Sequence, residues 1–142
     1  MRERNEMILA DLIALRAEQK PGLDVLTFEH FSLDGSATPD EVRSYADLFT
    51  NANRIAAYLR GRGMRMGDRF VITLRNHPEF VEAMIAASMT GTVFVPVDPR
   101  TRADKLAFMV RNSGSRGVIC ANYNLAEVRA AEAGCADLEW LL

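Results

Sequence analysis

Cysteine is scarce in this chain, with two among 142 residues. Cys120 and Cys135 have no second pair, which excludes a disulfide framework or a thiolate metal site. Cys120 closes an apolar run, the setting of a buried thiol rather than a reactive one. Excess charge of one sign is also missing. Lys and Arg number 17 against 19 Asp and Glu, a formal net charge of −2, so nothing draws the chain toward nucleic acid or an anionic membrane. No apolar run approaches the length of a bilayer crossing. The opening MRERNEMILADLIALRAEQK has no uninterrupted apolar core of the kind a signal peptide needs. A cytoplasmic location is the default expectation. A dinucleotide fingerprint, a phosphate loop with lysine, a GxSxG elbow and His/Cys metal spacing are all absent; GRGMRMG at 61–67 follows a helix, not a strand. Neither a catalytic residue nor a metal ligand can be named from these residues.

What is present is a regular alternation. Met7, Ile8, Leu12 and Leu15 recur at near-helical spacing, and Pro21-Gly22 stops that helix. Val25–Phe31 alternates and is rich in β-formers, with a turn cluster at 34–39, which predicts a hairpin or a strand with a surface loop. Ser44 and Asp47 form a short-armed capping box, and Leu48, Ala52, Ile55, Ala56 and Leu59 line one face of the helix they open. Phe70–Leu74 is a short apolar strand. Asn76-His77-Pro78-Glu79 opens a helix whose buried stripe is Phe80, Ala83, Met84 and Ala87. Val93–Val95 and Val118–Cys120 are further strands. Thr101 with Asp104, and Asn124 with Glu127, predict capping boxes for two more helices, ending near Gly114 and Gly134.

Strands joined by helices at this spacing require right-handed crossovers and a parallel sheet covered on both faces. The fold class is therefore α/β: an incomplete, doubly wound, mostly parallel sheet with flanking helices. The expected organisation is one partial domain over 1–142, with a helix and a strand or hairpin over 1–43 and strand–helix repeats over 44–142. The last residues, Cys135–Leu142, read as a strand entering the sheet. That predicts a chain cut inside its fold and self-association through an exposed sheet edge.

Ligands of parallel α/β sheets bind where the strands end. Those segments are Arg75-Asn76-His77, Asp98-Pro-Arg-Thr-Arg102 and Ala121-Asn-Tyr-Asn124. His77 precedes a proline at a helix start, where a capping role is the plain reading and acid–base work has no support in these residues. His30 reads as a strand surface residue. Asp98 and Arg100 are better placed, although Asp-Pro-Arg is also an ordinary turn.

Five stretches, in order, resemble the adenylate-forming superfamily of acyl-CoA synthetases, peptide-synthetase adenylation domains and luciferases. Ser44-Tyr-Ala-Asp-Leu48 is similar to its first core motif, with aspartate for the usual glutamate. Leu59-Arg-Gly-Arg-Gly63 with Met66-Gly-Asp-Arg69, and Arg75-Asn-His-Pro-Glu-Phe80, are similar to the passages that follow. Gly91-Thr-Val-Phe-Val-Pro-Val-Asp98 resembles the second core motif, with Met89-Thr90 where Lys-Ala is common, and Asn112–Cys120 continues the pattern.

The resemblance implies an ATP-dependent acid–thiol ligase that activates a small-molecule carboxylic acid as an acyl-adenylate and passes it to CoA, with Mg neutralising phosphate charge. The family's phosphate loop, adenine- and ribose-contacting motifs and C-terminal lysine match nothing in these residues. The expectation is an N-terminal fragment of an acyl-CoA synthetase, inactive alone and binding none of ATP, CoA or Mg firmly. No catalytic or metal residue carries over. Asp98, Pro99 and Arg129 are the positions implied near the nucleotide end of CoA. Two alternatives stay open: a peptide-synthetase adenylation domain, and a non-catalytic binding module that keeps only this subdomain.

Overall fold

The structure, a computed structural model, describes residues 4–30 and 38–142. The turn cluster expected at 34–39 lies mostly outside the described residues. Elements run α1 (Leu9–Gln19), β1 (Asp24–Phe28), β2 (Glu41–Ser44), α2 (Tyr45–Gly61), β3 (Arg69–Ile72), α3 (Pro78–Thr90), β4 (Val93–Pro96), α4 (Ala103–Ser113), β5 (Ser115–Ile119), α5 (Leu125–Glu132) and β6 (Trp140–Leu141). The chain divides into two compact units, one of Met1–Ala57 with Asn76–Met89, the other of Tyr58–Arg75 with Thr90–Leu142.

In the first unit β1 and β2 form an antiparallel pair, from Asp24 opposite Ser44 to Phe28 opposite Glu41. The capping box forms as the spacing predicts: the Asp47 carboxylate accepts the Ser44 N–H at 2.9 Å, and Ser44 Oγ accepts the Asp47 N–H at 3.2 Å. Two expectations need correction. Met7 is 92% exposed and precedes α1, whose one fully buried residue is Ile13. In α3 the buried positions include Glu82, Ile85 and Ala86, while Phe80 and Met84 are only half-buried. The helix is apolar on nearly every side, so no single stripe governs it. Glu82 can be buried because Arg43 Nε and Asn51 Nδ2 donate to its Oε1 at 3.1 and 2.8 Å.

The second unit holds a four-stranded parallel sheet in the order β4-β3-β5-β6. Phe70, Val71 and Ile72 are each 0% exposed, so β3 is covered on both faces. On one face Leu106, Ala107 and Val110 of α4 and Val128 and Ala131 of α5 pack with Val71 and Val118. On the other, the Trp140 ring lies 6.0 Å from Phe70 and 5.6 Å from Tyr58. Burying each large apolar side chain contributes roughly 1.5–3 kcal/mol. Pro96, which has no N–H for the ladder, sits in the outer strand β4, where proline is tolerated. Gly114 ends α4 in the left-handed conformation, φ 63°.

The two capping boxes predicted for α4 and α5 do not form; neither helix has a side-chain cap of its own. Instead, Glu127 of α5 accepts the Ala103 N–H that opens α4, at 2.8 Å. Asn124 turns away from α5 to the end of β3. The local signal is correct in residue type and wrong in partner, because α4 and α5 are neighbours in space.

Candidate functional site at the strand ends

The chain leaves β3 for β4 on one side, then crosses to β5 on the other. This reversal opens a crevice beyond the C-terminal ends of β3 and β5. Asn124, 4% exposed, bridges the two ends. Its Nδ2 donates to Thr73 O at 2.7 Å and Thr73 Oγ1 at 3.0 Å, and its Oδ1 accepts the Ala121 N–H at 3.0 Å. Beside it, the Tyr123 hydroxyl oxygen accepts the Arg75 backbone N–H at 2.6 Å. The Arg75 guanidinium lies over the Tyr123 ring, 4.4 Å from its centre.

Pro99, Arg100 and Arg102, from the loop after β4, complete a cleft of ≈ 330 Å³ with Arg75, Tyr123, Asn124 and Glu127. Its charge is mainly positive. Arg100 folds back on Asp98, with its backbone N–H, Nε and Nη2 donating to the carboxylate at 2.8, 3.0 and 2.7 Å. These bonds lower the Asp98 carboxyl to about 2. Arg102 pairs with Glu127 at 3.1 Å. Both arginines are largely in solvent, 86% and 84% exposed. Guanidinium groups held at strand ends suit a phosphate or carboxylate ligand.

The family model described as "AMP-binding enzyme" matches residues 14–140. The chain belongs to the AMP-binding enzyme family. It is 34% identical over 91 residues to a feruloyl-CoA synthase of Amycolatopsis, covering 64% of this chain and 18% of that protein. It is 28% identical over 137 residues to a linear gramicidin synthase of Brevibacillus parabrevis, covering 95% of this chain and 2% of that one. A fatty acyl CoA synthetase of Mycobacterium tuberculosis superposes with a TM-score of 0.82 at 24% identity, over 99% of this chain and 27% of that one, which shows a shared fold. The chain thus spans well under a third of these proteins' length.

Within this AMP-binding fold, the positions singled out from sequence separate. Pro99 lines the arginine cleft, while Asp98 lines an adjoining groove with Thr101, Asp104 and Lys105. Arg129 lies on α5, 61% exposed and 3.0 Å from Glu132, and borders neither cleft. Its field reaches Cys120, whose thiol is nonetheless pushed up by burial. His77 is in the other unit, its ring 5.2 Å from Phe28 in a groove of ≈ 270 Å³. His30 meets Glu41 at 3.1 Å. The sequence locates the three loops but does not group Arg75, Arg102, Tyr123 and Glu127 as one constellation. The available signal is the strand-end rule applied to all three loops at once. Among the described residues no group of three or more His, Cys, Asp or Glu could hold a metal ion, and no helix is long and apolar enough to cross a membrane.

Proposed function

We propose that this chain is the N-terminal part of an ATP-dependent acid–thiol ligase, an acyl-CoA synthetase, and that the strand-end cleft takes the phosphate-bearing nucleotide end of CoA. The observation that supports this most directly is the convergence of Arg75, Arg100 and Arg102 on one cleft. Each guanidinium can offer paired N–H donors to a phosphate. Pro99 fixes the backbone beside them, Asp98 holds Arg100 ready for exchange, and Arg129 adds a more distant positive charge. The acyl-adenylate step needs a phosphate loop and a lysine that match nothing in these 142 residues. Without that preorganised electrostatic stabilisation the chain alone should show no ATP–pyrophosphate exchange. Magnesium would accompany ATP and neutralise its phosphate charge.

The test is calorimetric titration with adenosine 3′,5′-bisphosphate, the nucleotide end of CoA. The expected result is weak but saturable binding, in keeping with a chain that holds CoA loosely by itself, that falls with added salt and is lost in the double variant Arg100→Ala/Arg102→Ala. Absence of binding by the unaltered protein would overturn the assignment. A second reading, a carrier-loading adenylation domain, is favoured by the match of 95% of the chain to a linear gramicidin synthase. It predicts that absence.

A further inference from the structure

We propose that Asn124 is the positioning residue of the strand-end cleft, tying β5 to β3 so that Arg75 and Tyr123 are held as its wall. The proposal rests on the reading of that cleft as a site for a phosphate-bearing ligand. Asn124 stands at the first position before α5, where an asparagine ordinarily caps its own helix. It makes no such bond. Both amide hydrogens go instead to Thr73, on a strand end 51 residues away, and its oxygen accepts the Ala121 N–H. A buried amide is tolerated only when so satisfied, and such a group fixes geometry more than it adds stability.

The geometry fixed here is that of the wall. The turn from Ala121 to Asn124 is closed twice, by the Ala121 N–H on Asn124 Oδ1 and by the Asn124 N–H on Ala121 O at 3.1 Å. Tyr123 sits inside this turn. Arg75 lies two residues beyond Thr73 and is joined to Tyr123 by its backbone N–H and by its guanidinium over the ring. Thr73, Arg75, Tyr123 and Asn124 therefore form a closed circuit across the switch point. Opening it at Asn124 frees Tyr123 to move and takes the Arg75 cation with it. Misplacing a binding group by an ångström costs far more in function than in stability.

The experiment measures inorganic pyrophosphate affinity by calorimetry, folding by thermal melt, and the Arg75 backbone amide by NMR. Asn124→Ala should weaken pyrophosphate roughly tenfold at temperatures where the protein stays folded, and should shift the Arg75 amide. Thr73→Val removes the hydroxyl acceptor and keeps the carbonyl, so it gives a smaller loss in the same direction, and it serves if Asn124→Ala unfolds. Asn124→Asp places a carboxylate against the Thr73 carbonyl, which cannot donate to it, whereas the Thr73 hydroxyl can. This variant should bind poorly at neutral pH and recover relative to wild type as acid protonates that buried carboxyl and restores a donor. A folded Asn124→Ala protein with wild-type affinity and an unmoved Arg75 amide overturns the proposal alone. Failure of the wild-type protein to bind pyrophosphate overturns the cleft reading, and the proposal with it.

Discussion

The two ends of the parallel sheet both carry arginine, and they use it differently. Where the strands begin, Arg116 on β5 spends its donors inside the fold. Its Nε and Nη2 each reach Glu139 at 2.7 Å, just before β6, and its Nη1 reaches Gly63 O and the Asp68 carboxylate, just before β3. It is 28% exposed. Where the strands end, among the described residues Arg100 closes only on a neighbour two residues away, and Arg102 on one carboxylate. A guanidinium held by carboxylates from separate segments fastens strands, whereas one left in solvent with a single local partner can exchange that partner for a ligand's anion. The first arrangement belongs to the fold, the second to a site.

Substitutions can break this comparison at either end. The largest effect is expected from Gly117→Ala, at the fastened end. A Cβ there would stand 2.0 Å from the Trp140 ring, so the ring must leave its place over β5. A loss of about 3 kcal/mol in urea unfolding is expected, and unchanged stability would show that Trp140 packing does not hold β6. Next is Arg100→Ala/Arg102→Ala, expected to weaken adenosine 3′,5′-bisphosphate at least tenfold with little change in melting temperature, since exposed pairs stabilise weakly. Arg116→Met should show the reverse: a lower melting temperature and unchanged nucleotide affinity. If both variants moved both readouts, the division between fastening and binding arginines would fail.

What the sequence discloses about these ends follows from the range of each interaction. Ser44 and Asp47, Gly114, and the run Phe70–Ile72 act over a few residues, so the second helix, the stop of α4 and the central strand are readable along the chain. β2 is legible only as one of two alternatives, the hairpin rather than the lone strand, because Glu41-Val-Arg-Ser44 has no apolar run and becomes a strand by pairing with β1. The first half of β5, Ser115-Arg-Gly117, resembles a loop for the same reason: its glycine is demanded by Trp140 and its arginine by Glu139. At the candidate site the loops can be located by rule, whereas the Arg75–Tyr123 stack joins residues 48 apart and the Glu127 cap joins residues 24 apart. Pairwise meetings at such separations leave no periodic trace.

The smallest effect expected, and the sharpest on the comparison, is in carboxyl titration. At the fastened end Glu139 is held below its ordinary 4.5, chiefly by hydrogen bonds from Arg116. Asp68 is held below 3.8 by the Arg65 N–H and then by Arg116. At the open end Asp98 lies at about 2, chiefly through the Arg100 side chain. A carboxyl lowered on folding stabilises the folded state above its unfolded value and loses that contribution as pH falls toward the folded one. Acid from pH 5 downward should therefore loosen the wild-type sheet slightly more than the Arg116→Met sheet. Ligand adds a second, separable change. Pyrophosphate that draws Arg100 away removes the cation favouring ionised Asp98 and brings a like charge near it, so Asp98 should rise from about 2 toward its ordinary 3.8. Asp68 and Glu139, whose arginine is not exchangeable, should stay where they are. NMR titration of the three carboxyls with and without pyrophosphate reads both ends in one sample. A fixed Asp98 would mean that Arg100 keeps its local partner when the anion binds, leaving Arg75 and Arg102 to hold it.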